Sequence, residues 1–182
     1  MLYSILYVLV ILLELLFALG FSIYTFFLIY SNLKGSPYVP TKMKEARMIL
    51  EQAKLKPNQL FLELGSGDGR LSRLAAKDYK VNSIGIDVNP LLNWYARLWA
   101  RWLKIPRVTF LTQNIFQTDL RKADVLYLFL MPKLIEKLKL KMEKELKKNS
   151  LVISHGFKVL GWEAKCFKTL NHRPFPTYYY RV

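Results

Sequence analysis

Apolar residues run almost unbroken from Leu2 to Tyr30, with a single charge among them, Glu14. As a helix that run would be about 43 Å long, against a hydrocarbon core of about 30 Å, so it predicts one tilted membrane-crossing helix. Tyr3, Tyr7, Tyr24 and Tyr30 fall near its ends, where aromatic rings favour the interface. A cleaved signal peptide fits poorly, because no basic residue precedes the run and the run is about twice the usual signal core. Glu14 reads as a protonated or snorkelling carboxyl in preference to a contact with a partner helix. Lys34, Lys42, Lys44 and Arg47 flank the C-terminal side. That cationic flank predicts that the rest of the chain lies on the cytoplasmic or matrix-like side.

Asn32, Gly35, Pro37 and Pro40 then break the pattern and predict a linker. Thr41 is the expected N-cap of a helix running to about Lys54, with Met43, Ala46, Ile49, Leu50 and Ala53 at helical spacing. Beyond Pro57-Asn58, strands and helices alternate. Strands are predicted over 60–64, 83–88, 108–112, 125–130, 151–154, 164–170 and 177–182. Helices are predicted over 70–77, 90–103 and 133–148, the second capped by Asn89 with Pro90 at its first position. On it, Trp94, Leu98 and Trp102 share one face and read as core, while Tyr95 and Trp99 share another that touches lipid or a partner. The basic helix 133–148 would pack Leu134, Leu138, Met142 and Leu146 onto a sheet. This alternation implies an α/β fold: a doubly wound, mostly parallel seven-stranded sheet with an antiparallel edge. The expected organisation is a transmembrane helix over 1–31, a linker and pre-domain element over 32–42, and one domain over 43–182.

Charge sharpens this picture. The 182 residues hold 28 Lys and Arg against 13 Asp and Glu, a net charge of +15. Such a chain binds nucleic acid, contacts an anionic membrane, or is simply soluble. The apolar helix favours the membrane, where each nearby basic residue gains about 1 kcal/mol. Cys166 is alone and forms no intramolecular disulfide. Cys166, His155 and His172 lack the linear spacing of zinc ligands, so no metal is expected.

The chemistry lies in Phe61 to Arg70: an apolar strand, a glycine-rich turn and a helix start. Ligands of open α/β sheets bind there, outside the carboxyl ends of the strands. Gly65, Ser66, Gly67, Asp68 and Gly69 form the turn, and glycines let a ligand approach the backbone. A dinucleotide fingerprint wants Gly or Ala where this chain has Arg70. Glu63, at the end of a buried strand, would repel a pyrophosphate but compensate a cation. S-adenosylmethionine carries an ammonium and a sulfonium and satisfies that demand. Asp87, ending the second strand, is placed to accept from ribose hydroxyls, with Val88 and Asn89 beside it. Asn114 would meet the adenine edge, with Ile115 or Phe116 against the ring; the plain alternative is an Asx turn.

With these residues in order, the chain resembles class I (seven-stranded, Rossmann-like) S-adenosylmethionine-dependent methyltransferases. Tyr38-Val39-Pro40-Thr41, Gly65 to Arg70, Asp87-Val88-Asn89-Pro90, Leu130-Met131-Pro132 and Ser154-His155-Gly156-Phe157 resemble one subfamily more narrowly. It comprises small prokaryotic enzymes and mitochondrial relatives that methylate lysine on the c-ring protein of ATP synthase and on the adenine nucleotide translocase. The family usually has Asp where Asn114 stands. The resemblance implies a membrane-protein lysine as acceptor and an acceptor pocket built from Tyr38, Thr41, Met131, Pro132 and His155. Alternatives are a lipid headgroup or other small amine as acceptor, or a non-catalytic membrane adaptor with a vestigial cofactor site. Nucleic acid is not the expected partner, given the anchor and the lack of an Asp/Asn-Pro-Pro-aromatic element after the fourth strand.

Overall fold

The computed structural model describes residues 2–34 and 38–182. Its elements are α1 (Leu2–Lys34), α2 (Met43–Ala53), β1 (Leu60–Leu64), α3 (Arg70–Tyr79), β2 (Asn82–Asp87), α4 (Pro90–Trp102), β3 (Val108–Thr112), β4 (Val125–Leu128), α5 (Pro132–Glu145), β5 (Leu151–His155), β6 (Cys166–Leu170) and β7 (Thr177–Arg181). The strands form one sheet in the order β3-β2-β1-β4-β5-β7-β6. The first five are parallel, and β7 runs antiparallel between β5 and β6.

Period-two alternation divides the core into two layers. Leu62, Leu64, Leu126, Leu128 and Val152 face Ile135, Leu138 and Met142 of α5. Phe61, Val125, Tyr127, Leu151 and Ile153 face Ala46, Ile49 and Leu50 of α2 and Leu71, Leu74 and Ala75 of α3. Glu63 alternates with Leu62 and Leu64, so it points to the α3 side, where that helix begins.

Several boundaries differ from the expectations. The linker expected from residue 32 starts later, because α1 continues to Lys34; Gly35, Ser36 and Pro37 lie outside the described residues. Thr41 is not the N-cap of α2: Lys42 is, and it makes no side-chain cap bond. The carbonyl of Thr41 instead accepts from Arg70 Nη1 at 3.0 Å.

The largest difference concerns α4. Trp94 and Trp102 are not core: they are 59% and 70% exposed, and Leu98 is exposed beside them. The helix meets the sheet through small side chains, Ala96 and Ala100 against Phe110. Asn93, fully buried, bonds the carbonyls of Asp87 and Leu111 and the hydroxyl of Thr112. This narrow face allows close approach, so the bulky residues turn outward.

Within α1, Tyr3–Phe27 is long and apolar enough to cross a membrane, with mean hydropathy 2.5. Ser22 and Thr25 donate their hydroxyls to the Ala18 and Phe21 carbonyls one turn back, which suits a medium without water.

Candidate active site

The glycine-rich turn after β1 is held from below by β2. The Ile86 carbonyl accepts from the Gly65 and Ser66 amides, and Asp87 Oδ2 accepts from the Gly67 amide at 2.8 Å. Gly67 has φ +54, and a Cβ on it would stand 2.7 Å from Tyr38 Cε2. The glycine therefore makes room for Tyr38 as well as for a left-handed turn. Gly69, also at positive φ, is the N-cap of α3.

Arg70 has a positive task in this turn beyond excluding a dinucleotide. Its Nε and Nη2 grip the Asp68 carboxylate at 3.0 and 2.8 Å, while Nη1 reaches the Thr41 carbonyl. One guanidinium thus clamps the Tyr38–Thr41 segment onto the turn. The Tyr38 hydroxyl is pushed up to about 12, first by burial and then by the nearby Asp68.

Two acids stand at the strand ends. Asp87 Oδ1 accepts from the Asn89 amide at 2.8 Å. Burial pushes Asp87 up, against the pull of these amide bonds. Glu63 Oε2 accepts from the Ser72 amide at 3.0 Å and its hydroxyl at 2.6 Å. Burial nevertheless pushes Glu63 up to about 8, so it holds a proton at neutral pH. A cation beside it would reverse that.

These groups surround a cavity of about 290 Å³. Of the predicted residues, Tyr38, Thr41, Glu63, Gly65, Ser66, Gly67, Asp68, Asp87, Val88, Asn114, Ile115 and Met131 line it. Gly69, Asn89, Pro132 and His155 are not among its lining. Gly69 and Asn89 cap α3 and α4, Pro132 opens α5, and His155 is fully buried behind Phe129, ring centroids 4.4 Å apart. Asn114 Oδ1 accepts from the Phe116 amide, so the Asx turn is real, yet the residue still lines the cavity.

Sequence reasoning missed the aromatic wall. Tyr127, Phe129, Phe157 and Phe175 line the cavity, with Phe129 and Phe175 edge to face at 5.4 Å. Phe129 adjoins the Leu130-Met131-Pro132 element and shares strand alternation with Tyr127, which was a usable signal. Phe175 lies in a proline-flanked connection and carries no local signal.

The expectation that His155 and His172 join no metal constellation also changes. The fold gathers Glu45, His155 and His172 so that one ligand atom of each lies within 4.8 Å of the others. Linear spacing cannot show this, since the three come from α2, the end of β5 and the β6–β7 connection. Burial, then His172, lowers His155 to about 4.

The donor set fits S-adenosylmethionine. Ser66 Oγ is buried at the cavity without a partner, glycines leave space for a ligand, and two carboxyls suit a cationic methionine end and a ribose.

Residues 63–166 match the ANTKMT methyltransferase domain family. A protein-lysine N-methyltransferase from Saccharolobus islandicus is 37% identical over 132 residues, 71% of this chain and 81% of that protein. An adenine nucleotide translocase lysine N-methyltransferase from Mus musculus is 28% identical over 129 residues, 70% of this chain but 56% of that enzyme. Among solved structures, an RNA methyltransferase from Salinibacter ruber bound to S-adenosyl-L-homocysteine superimposes with TM-score 0.76 at 28% identity, covering 79% of this chain and 94% of that one. The chain belongs to the ANTKMT methyltransferase family and is an S-adenosylmethionine-dependent enzyme.

Proposed function

We propose that this enzyme methylates the ε-amine of a lysine on a membrane-associated protein, from a single-pass anchor formed by α1. The observation that carries the reading is the short tether between anchor and cavity. Lys34 ends α1 and Tyr38 already lines the cavity. A chain from Lys34 to Tyr38 reaches at most about 14 Å, so the acceptor is met close to the end of α1. Named substrates of its relatives include the adenine nucleotide translocase.

The two sides of the cavity suit donor and acceptor. Glu63, Asp87 and the glycine turn bind and orient the cofactor, which supplies a methyl group already activated on a sulfonium. Tyr38, Phe129, Phe157 and Phe175 form an apolar, aromatic approach for an alkyl amine. Aromatic faces attract ammonium groups, and a dry wall favours the neutral amine that attacks. Deprotonating lysine at pH 7 in water costs about 4.6 kcal/mol, which desolvation beside a cationic donor reduces. The remaining task is alignment of nitrogen, methyl and sulfur.

The outward face of α4 supports membrane attachment. Asn89 Nδ2 donates to the Phe27 carbonyl at 3.2 Å, beside the end of the apolar span. From there Trp94, Leu98 and Trp102 extend outward with the exposed Arg97 and Arg101. Aromatic and basic residues together suit an anionic bilayer interface. With the cationic flank after α1, the reading puts the catalytic domain on the cytoplasmic or matrix-like side.

The test is to incubate source membranes with labelled cofactor and separate protein, lipid extract and RNA. Label recovered as methyllysine in a membrane protein is the expected result. Label confined to lipid or RNA overturns the acceptor assignment. Protease added to intact spheroplasts should spare the domain; digestion reverses the topology.

A further inference from the structure

We propose that Glu45, His155 and His172 bind one divalent transition-metal ion, with zinc as the best fit, which fastens α2 to the β5 side of the sheet. The three residues lie outside the cavity lining, and methyl transfer does not use them.

Three atoms converge. Glu45 Oε1, His155 Nε2 and His172 Nδ1 are all buried without a hydrogen-bond partner. Glu45 Oε1 lies 3.8 Å from His155 Nε2 and 2.9 Å from His172 Nδ1; the shorter approach lacks hydrogen-bond alignment. Glu45 is 8% exposed and His155 is fully buried. Tetrahedral zinc, with ligands at about 2.1 Å, sets them about 3.4 Å apart. These two separations bracket that value, and the two imidazole nitrogens lie within 4.8 Å of each other.

The opposite edges of both rings are already committed. His155 Nδ1 lies 2.9 Å and His172 Nε2 3.0 Å from Thr177 Oγ1. A hydroxyl oxygen has two lone pairs and can accept from both rings at once, the tautomer pair that metal binding would select. That arrangement puts a proton on each of these nitrogens. It leaves lone pairs on His155 Nε2 and His172 Nδ1, beside the Glu45 oxygen. Three electron-pair donors facing one another in a buried space are costly unless a cation joins them. Metal-binding imidazoles commonly donate their other N–H to an oxygen acceptor behind them, and Thr177 Oγ1 is placed to be that acceptor here. The two rings also lie nearly parallel, 8° apart with centroids at 5.6 Å, which restrains both.

Ligand chemistry narrows the ion. Two imidazoles and one carboxylate suit zinc, and also copper, nickel or iron; they do not suit calcium or magnesium. Phe129 and Tyr127 stand at 4.4 and 6.5 Å from the His155 ring, between it and the cavity. The ion therefore has a structural task. Glu45 sits in the first turn of α2, just after the Thr41 carbonyl that Arg70 holds. A metal there secures the base of the segment that covers the cavity.

The experiment uses tag-free, full-length protein in detergent, stripped with chelator, reloaded with zinc and dialysed. Elemental analysis should find one zinc per chain in the parent. Glu45→Gln and His172→Asn should each retain less than about a tenth of that, while S-adenosylhomocysteine binding by calorimetry shows that they remain folded. No retained zinc in the parent, or equal zinc in the variants, overturns the site. Cobalt(II) loading of the parent gives a second readout that needs no variant. The strong visible bands of four- or five-coordinate cobalt are expected, and a weak octahedral spectrum refutes the proposal. Because these readouts ignore methyl transfer, they stand or fall separately from the acceptor assignment.

Discussion

The Tyr38 ring occupies the space that a side chain at Gly67 would fill, with Cε2 2.7 Å from the position of an added Cβ. Gly67→Ala therefore meets two penalties: a left-handed backbone at φ +54, costing about 1–2 kcal/mol, and displacement of Tyr38. Cofactor affinity should fall by about tenfold or more, since the Tyr38–Thr41 segment and the turn share this contact. Removing the ring should relieve the second penalty. Tyr38→Ala with Gly67→Ala should thus bind cofactor more tightly than Gly67→Ala alone. Calorimetry on the four proteins measures the coupling, and strictly additive losses would disconnect ring from glycine.

Asp87 has a structural task beside its proposed ribose contact. Its two oxygens hold the Gly67 and Asn89 amides, so Asp87→Ala should lower both cofactor affinity and stability. Each lost charge-assisted bond is worth about 1.5–3 kcal/mol. Chemical denaturation of the cofactor-free protein reads the structural share, and titration reads the whole. An Asp87→Ala protein with parental stability would leave the carboxylate a ligand contact alone.

Local patterns carried the topology and the glycine-turn side of the cavity. The strand at Leu60–Leu64, the glycine turn and the Asn89 cap are decided by neighbours in sequence, and each is found where the pattern predicts. The α4 periodicity correctly groups Trp94, Leu98 and Trp102, but grouping does not say which side faces inward. The small face of Asn93, Ala96 and Ala100 wins because the sheet approaches closely there. Phe175 and the Glu45–His155–His172 cluster depend on elements distant in sequence, and no local period reports them.

The outward aromatic face of α4 has a direct optical test. Trp94 and Trp102 are exposed, whereas Trp162 is buried and donates to Glu143 Oε1 at 2.8 Å. In vesicles of anionic lipid brominated along the acyl chains, the parent should lose much of its tryptophan fluorescence. With Trp94→Ala, Trp99→Phe and Trp102→Ala combined, the loss should be much smaller, since the remaining Trp162 is shielded. Equal fractional quenching in both proteins would put this face away from lipid.

Glu63 should couple cofactor binding to protons. Its folded value of about 8 exceeds the ordinary 4.5 because burial penalises the charge. A raised folded value means that the native state holds the proton more tightly than the unfolded chain does. The associated stability is fully present below the ordinary carboxyl range and is lost as pH rises toward and through about 8. The slope for one such group is at most about 1.4 kcal/mol per pH unit. Glu63→Gln keeps the shape and the Ser72 bonds without the ionisation, so the cofactor-free variant should outlast the parent in alkaline buffer. Cofactor binding should show the opposite preference. A cationic ligand selects the ionised carboxyl, so binding at about pH 6.5 should release about one proton from the parent and none from the variant. Calorimetry in two buffers of different ionisation enthalpy measures that release. Equal proton release by both proteins would show that Glu63 does not face the ligand's positive charge.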